Sequence, residues 1–99
     1  MRDLTFEAEL SRREADICFA LADPTRVNIV HALNKHPYSV NELTHELGIP
    51  QPMTSRHLKI LRERGLVQSM RHGVSVTYSL SDQRLLDALA LLTDISKNS

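Results

Sequence analysis

Residues Gln51 to Gly65 read QPMTSRHLKILRERG, the pattern of a short amphipathic helix closed by glycine. Leu58 and Leu61 lie three apart and Thr54 one turn before Leu58, so one edge of that helix can be buried. The remaining surface carries Gln51, Ser55, Arg56, Lys59 and Arg62, which donate hydrogen bonds or bear positive charge. A helix anchored along one stripe, basic and polar elsewhere, is an element the major groove of DNA can admit. A solvated surface helix with scattered charge has the same pattern. The flanking residues decide between the two.

Upstream, Asn41 is expected to cap a short helix with Leu43 and Leu47 on its inner face and Gly48 as its left-handed terminator. Ser39-Val40 before it is expected to be extended. Ile49-Pro50 then turns the chain into Gln51–Arg64. Helix, glycine turn, helix is the helix-turn-helix arrangement. Downstream of Gly65 the period changes to two. Val67, Ser69 and Arg71 alternate with Leu66, Gln68 and Met70, and Val74, Val76, Tyr78 and Leu80 with Ser75, Thr77 and Ser79. His72-Gly73 between the runs marks a tight hairpin. Such a ribbon is marginal alone and must lean on the helices, as a wing does.

Further out, Phe6, Leu10, Ile17 and Leu21 recur close to a heptad spacing and predict an amphipathic first helix over about 5–21. Asp23-Pro24 supplies an N-cap and a first-turn proline for a second helix reaching about Asn34, burying Val27, Val30 and Leu33 or neighbours such as Ile29. Lys35-His36-Pro37 closes it. A last helix over about 82–96, capped by Ser81 or Asp82, carries Leu85, Leu86, Leu89, Leu92 and Ile95 around much of its circumference. That is more apolar surface than one domain's core uses, which points to a partner helix. The fold class is therefore mainly α with a small β-hairpin: five helices and a two-stranded wing in one domain over residues 1–99.

The formal net charge is zero, but it is unevenly placed. Residues 51–80 hold five cations against Glu63, a net of +4, whereas residues 1–22 hold three against five acids, a net of −2. Screening confines a charge's reach to about 10 Å, so the cluster matters more to a polyanion than the total. A single cysteine, Cys18, excludes an intramolecular disulfide. No apolar run approaches the roughly 18 residues of a membrane span, and no leader pattern opens the sequence, so a cytoplasmic protein is expected.

The segments Leu21-Ala22-Asp23-Pro24-Thr25-Arg26, Val40 to Leu47, Gln51-Pro52 through Ser55-Arg56-His57-Leu58 to Leu61-Arg62-Glu63-Arg64-Gly65-Leu66-Val67, and Tyr78-Ser79-Leu80 resemble the ArsR/SmtB family of bacterial repressors. The resemblance covers nearly the whole chain. It implies a winged helix-turn-helix homodimer joined through its first and last helices, binding an inverted-repeat operator and releasing it when a metal ion or another effector binds. Carried over by position, the DNA-reading face falls on Gln51, Pro52, Ser55 and Arg56 with Lys59 beside them, and the wing contact on Arg71 and His72. Arg62 is expected on a phosphate, and Arg64 either there or against the helix's negative end. The seam is expected from Phe6, Leu10, Ile17, Leu85, Leu89 and Leu92.

Two positions depart from the family pattern. Pro50 stands where many relatives have a hydroxyl residue able to cap the reading helix. Ser39 and Asn41 stand where arsenical sensors carry a cysteine pair, and the final helix has Asp82, Asp87 and Asp94 but no histidine beside them. Neither familiar metal site survives, and neither a metal nor a cofactor is expected.

Cys18 reads first as a small buried hydrophobe. Across a dimer interface two copies could instead oxidise, which makes it the candidate redox thiol. His57 adjoins the buried stripe and is expected in a structural hydrogen bond. His31, His36 and His45 lack a second ligand at helical spacing. An enzyme is not expected: Ser55 and His57 are two apart on a helix and do not face each other, and the sequence has no glycine-rich phosphate loop or CxxC pair. The alternative to a DNA-binding regulator is a winged-helix protein-interaction module. Only phosphate contacts would make its binding decline steeply with salt.

Overall fold

The computed structural model describes residues 4–98. Five helices and one hairpin follow in the order α1 (Leu4–Ala20), α2 (Pro24–Lys35), α3 (Val40–Leu47), α4 (Gln51–Glu63), β1 (Val67–His72), β2 (Ser75–Leu80) and α5 (Arg84–Lys97). This is a winged helix-turn-helix. Its core is a small cluster in which Ile29, Val30 and Leu33 of α2 meet Leu43 of α3, Leu58 and Leu61 of α4, and Val67 at the start of the wing. Ile29 and Val30 carry the inner face of α2, with Val27 only half-buried beside them.

Local chemistry sets the helix ends. The Asp23 carboxylate accepts from the Thr25 and Arg26 amides at 2.8 and 3.2 Å, and Pro24 occupies the first helical turn, where a missing N–H costs nothing. α3 begins two residues earlier than Asn41 implied. Ser39 is its cap: the Ser39 hydroxyl accepts from the Glu42 amide at 3.1 Å while the Glu42 carboxylate accepts from the Ser39 amide at 2.8 Å. This reciprocal box satisfies two orphan donors, which Asn41 could not do from inside the helix. Ser39 is extended as expected, at φ −79° and ψ 167°, but Val40 is already helical, and the extended stretch begins at Tyr38, which bridges to Tyr78 through N–H···O=C bonds in both directions.

Gly48, at φ +65°, ends α3, and its amide donates to the Thr44 carbonyl. Gly65, at φ +75°, follows α4, where the Leu66 amide donates to the Leu61 carbonyl and the Gly65 amide to the Arg62 carbonyl. That pair of bonds is a Schellman ending, and it launches the first strand directly off the fourth helix.

The strands pair antiparallel with Val67 opposite Leu80 and His72 opposite Ser75. The turn thus lies one residue beyond His72-Gly73. The two-residue loop is Gly73-Val74; Gly73 supplies the positive φ of a type II′ turn, and Val74 sits at the tip, 98% exposed. Period-two alternation drew Val74 into the second strand because valine favours strands, whereas closure of the ladder is set by the glycine.

α5 starts at Arg84, later than Ser81 or Asp82 would give as caps. Its N-cap, Gln83, makes no side-chain bond, although the Asp82 carboxylate accepts from the Arg84 amide at 2.8 Å. No residue of α5 is buried within the chain, and α1 buries only Ala20. The radius of gyration is 15.4 Å, against about 13 Å for a compact chain of this size.

Candidate nucleic-acid interface

α4 divides cleanly. Thr54, His57, Leu58 and Leu61 are buried, while Gln51, Pro52, Ser55, Arg56, Lys59 and Arg62 are all exposed on the opposite side. The helix is seated by a hydroxyl pair as well as by packing: Thr44 of α3 donates to Thr54 at 2.9 Å, locking the two helices of the motif in register. Pro50 is the N-cap and, as its lack of a side-chain acceptor requires, makes no cap bond. Its carbonyl accepts from Met53 and Thr54, but the amide dipoles of the first turn still face outward, an arrangement that favours an anion.

The wing separates two residues expected to act together. Strand alternation and the register place Arg71 on the face of Ser69, Val76 and Tyr78, and His72 on the face of Met70, Ser75 and Thr77. Both are exposed. Placing the turn at His72-Gly73 hid this division, because a loop residue obeys no alternation.

Behind α4 lies a residue whose role the sequence did not reveal. Arg26 is 7% exposed. Its Nε donates to the Ala20 carbonyl at 2.7 Å, one terminal nitrogen to the Phe19 carbonyl at 3.0 Å, and the other to His57 Nδ1 at 3.2 Å. A guanidinium has no acceptor, so His57 must accept at Nδ1 and is neutral. Burial pushes the His57 imidazole below its ordinary range; Asp23 opposes this, and Arg26 and Arg56 add to it. The structural hydrogen bond expected of His57 is thus present, and its donor is Arg26. The Arg26 guanidinium is offset by the carbonyl end of α1, which it hydrogen-bonds, and by the charge of Asp23 nearby. Only the Asp-Pro-Thr-Arg spacing, which puts Arg26 on the first turn of α2 beside the end of α1, hinted at it.

Arg64 ties the same two helices together. Its guanidinium meets the Asp16 carboxylate at 3.1 Å, donates to the Ile60 carbonyl at 3.4 Å, and lies 5.1 Å from the Phe19 ring centroid. Arg26 lies 5.4 Å from the same ring. Arg64 therefore meets the C-terminal end of α4, as its alternative role required, and does not line the reading face.

Cys18 is exposed on α1, not buried, because among the described residues nothing covers that side of the helix. Of the seam residues, Phe6, Leu10 and Leu92 are 62%, 46% and 58% exposed, whereas Ile17, Leu85 and Leu89 are half-buried. Leu85 and Leu89 spend part of their surface on the chain's own core. His31, His36 and His45 are exposed, and His36 stacks on Tyr38 at 4.2 Å. Among the described residues no three His, Cys, Asp or Glu side chains converge to hold a metal ion, and no helix is long and apolar enough to cross a membrane.

Comparison with known proteins agrees with this geometry. The family model for bacterial regulatory proteins of the arsR family matches residues 23–69, from the cap of α2 into the wing. The transcriptional repressor SmtB of Mycobacterium tuberculosis is 41% identical over 86 residues, covering 83% of this chain; the chain spans 64% of that repressor's length. The crystal structure of NolR from Sinorhizobium fredii superposes with a TM-score of 0.82 at 30% identity, covering 96% of both chains. A homodimeric winged helix-turn-helix DNA-binding domain from Mycobacterium bovis shares the fold at a TM-score of 0.82 and 24% identity, over 92% of this chain and 84% of that one. The chain belongs to the arsR family of bacterial regulatory proteins.

Proposed function

We propose that the chain is a homodimeric transcriptional regulator, a repressor in its simplest action, that binds an inverted-repeat operator in double-stranded DNA and works in the cytoplasm without catalysis. The observation that carries this reading is the division of α4: every polar or cationic residue of the helix expected to read DNA is exposed, while Thr54, His57, Leu58 and Leu61 on the other side are buried. Arg56 supplies a fork for guanine or phosphate, Gln51 a bidentate partner for adenine, and Ser55 a short donor. Pro52 lets the first turn approach the groove without an unsatisfied N–H. Lys59 and Arg62, further along, are phosphate contacts. Arg71 at the end of the wing suits the minor groove, and His72, on the other face of the ribbon, the sugar-phosphate edge.

The second copy is called for by α1 and α5. Leu4, Phe6, Leu10, Phe19, Leu91, Leu92 and Ile95 are all more than 45% exposed, so two long helices have their apolar faces uncovered. So many large apolar side chains left bare on two helices mark an interaction surface. Two copies joined there present two α4 helices to one side of a duplex.

Selection from a random-sequence duplex pool tests the proposal. It should enrich a two-fold symmetric site whose binding weakens steeply with salt. Enrichment of no sequence, or binding indifferent to salt, would overturn it.

A further inference from the structure

Arg26 stands at a junction no single helix explains. One guanidinium holds the last carbonyls of α1, at Phe19 and Ala20, and a buried imidazole of α4. Among the groups facing that imidazole, Asp23 caps α2, Arg26 belongs to α2 and Arg56 to α4. His57 lies next to Arg56 on the reading helix, and the Arg26 side chain lies over Phe19 on the helix whose outer face is bare. α1 is also held by the buried Ala20 and by Arg64 at the end of α4, which meets Asp16 and the Phe19 ring.

We infer that Arg26 is a positioning residue for DNA reading: through the neutral His57 it fixes α4 to the end of the α1 seam, and protonation of His57 releases that link. The inference rests on the DNA-binding reading above. Its chemistry is simple. In the neutral state the Nδ1 lone pair accepts from Arg26. A proton added at Nδ1 turns the acceptor into a donor and sets two cations about 3 Å apart, with the Asp23 carboxylate near both but bonded to the Thr25 and Arg26 amides. Arg26 keeps its two carbonyls, so the bond that gives way is the one to α4. The reading helix then loses its tie to the seam, and the two reading helices of a dimer lose their fixed spacing. Asp23 favours the proton, while Arg56 opposes it. Phosphates near Arg56 attract the added charge, so the net weakening measures how far loss of the link exceeds that attraction.

The experiment compares wild type with His57→Asn, in which an amide oxygen can take the place of Nδ1 as a fixed acceptor. Affinity for the duplex selected at pH 7.5 is measured by fluorescence anisotropy at pH 7.5 and 5.5, at constant ionic strength, with the dimer checked by sedimentation. The expected result is near-equal affinity at pH 7.5. At pH 5.5 wild type should weaken severalfold more than His57→Asn but by less than about tenfold, since one proton on a group titrating below about 6.5 can supply no more one pH unit lower. Equal changes in the two proteins would overturn the inference while leaving DNA binding intact. No binding by wild type at pH 7.5 would overturn both.

Should His57→Asn not fold, the imidazole titration of the wild-type protein followed by NMR decides the matter. The amides of Leu21 and Ala22, just past the held carbonyls, are expected to shift with the same midpoint as His57. Amides that ignore the imidazole would refute the link.

Discussion

At the scale of single residues the molecule separates two kinds of cation. Arg26 and Arg64 are spent inside, on carbonyls, an imidazole, Asp16 and one shared aromatic ring. Arg56, Lys59 and Arg62 remain outside, available to a partner. Arg56→Ala should therefore cost about 1–3 kcal/mol of specific DNA binding without changing stability, and should relax preference at one base pair if Arg56 reads an edge. A gel-shift titration on matched and mutated duplexes checks both effects, and unchanged affinity would refute them. His57 makes a second prediction, on the free protein. Burial lowers its folded-state pKa below the ordinary value of about 6.5, so the unfolded chain takes up the proton first as pH falls. Stability should decline as pH drops through about 6.5 and level off below the folded-state value. Urea melts of wild type and His57→Asn across that range should diverge only on the acid side. The exposure of Arg56 was legible from its spacing against Leu58 and Leu61. The burial of Arg26 was not, because a charge buried against helix carbonyls leaves no mark in a hydrophobic pattern.

At the scale of elements, caps and glycines set the boundaries more firmly than periodicity does. The reciprocal box at Ser39 and Glu42 predicts that Ser39→Ala loses about 1 kcal/mol. Asn41→Ala, exposed inside the helix, should be close to neutral. Equal losses in thermal or urea melts would put the cap back at Asn41. Periodicity located all five helices and both strands: α2 to α5 and the wing each turn an apolar edge to the same small core, whereas the apolar face of α1, Ala20 apart, lies outside it. It misjudged α3 and the wing turn by one or two residues. In each case a short polar or glycine contact outweighed the pattern: a serine three residues before a glutamate, and a positive φ at Gly73. That one-residue error at the turn had a consequence for the interface. Alternation sends Arg71 and His72 to opposite faces of the ribbon, so one wing offers two different contacts rather than a paired clamp.

At the scale of the whole molecule the uncovered faces of α1 and α5 dominate. The surplus of leucines on the last helix was visible in the sequence. How that surplus divides was not, since only packing shows Leu85 and Leu89 turned partly inward and Leu92 outward. Leu92→Asp should shift the protein toward monomer at micromolar concentration in sedimentation, leave helical content nearly unchanged, and weaken binding to a symmetric duplex far more than to a single half-site. A dimer as stable as wild type would remove this face from the interface. Two copies that set two α4 helices into one face of a duplex leave a mark that hydroxyl-radical footprinting of the bound, selected duplex can read. Two protected patches related by a two-fold axis and centred about 34–36 Å apart, or a multiple of that, are expected; one unsymmetrical patch, or none, would rule the paired helices out.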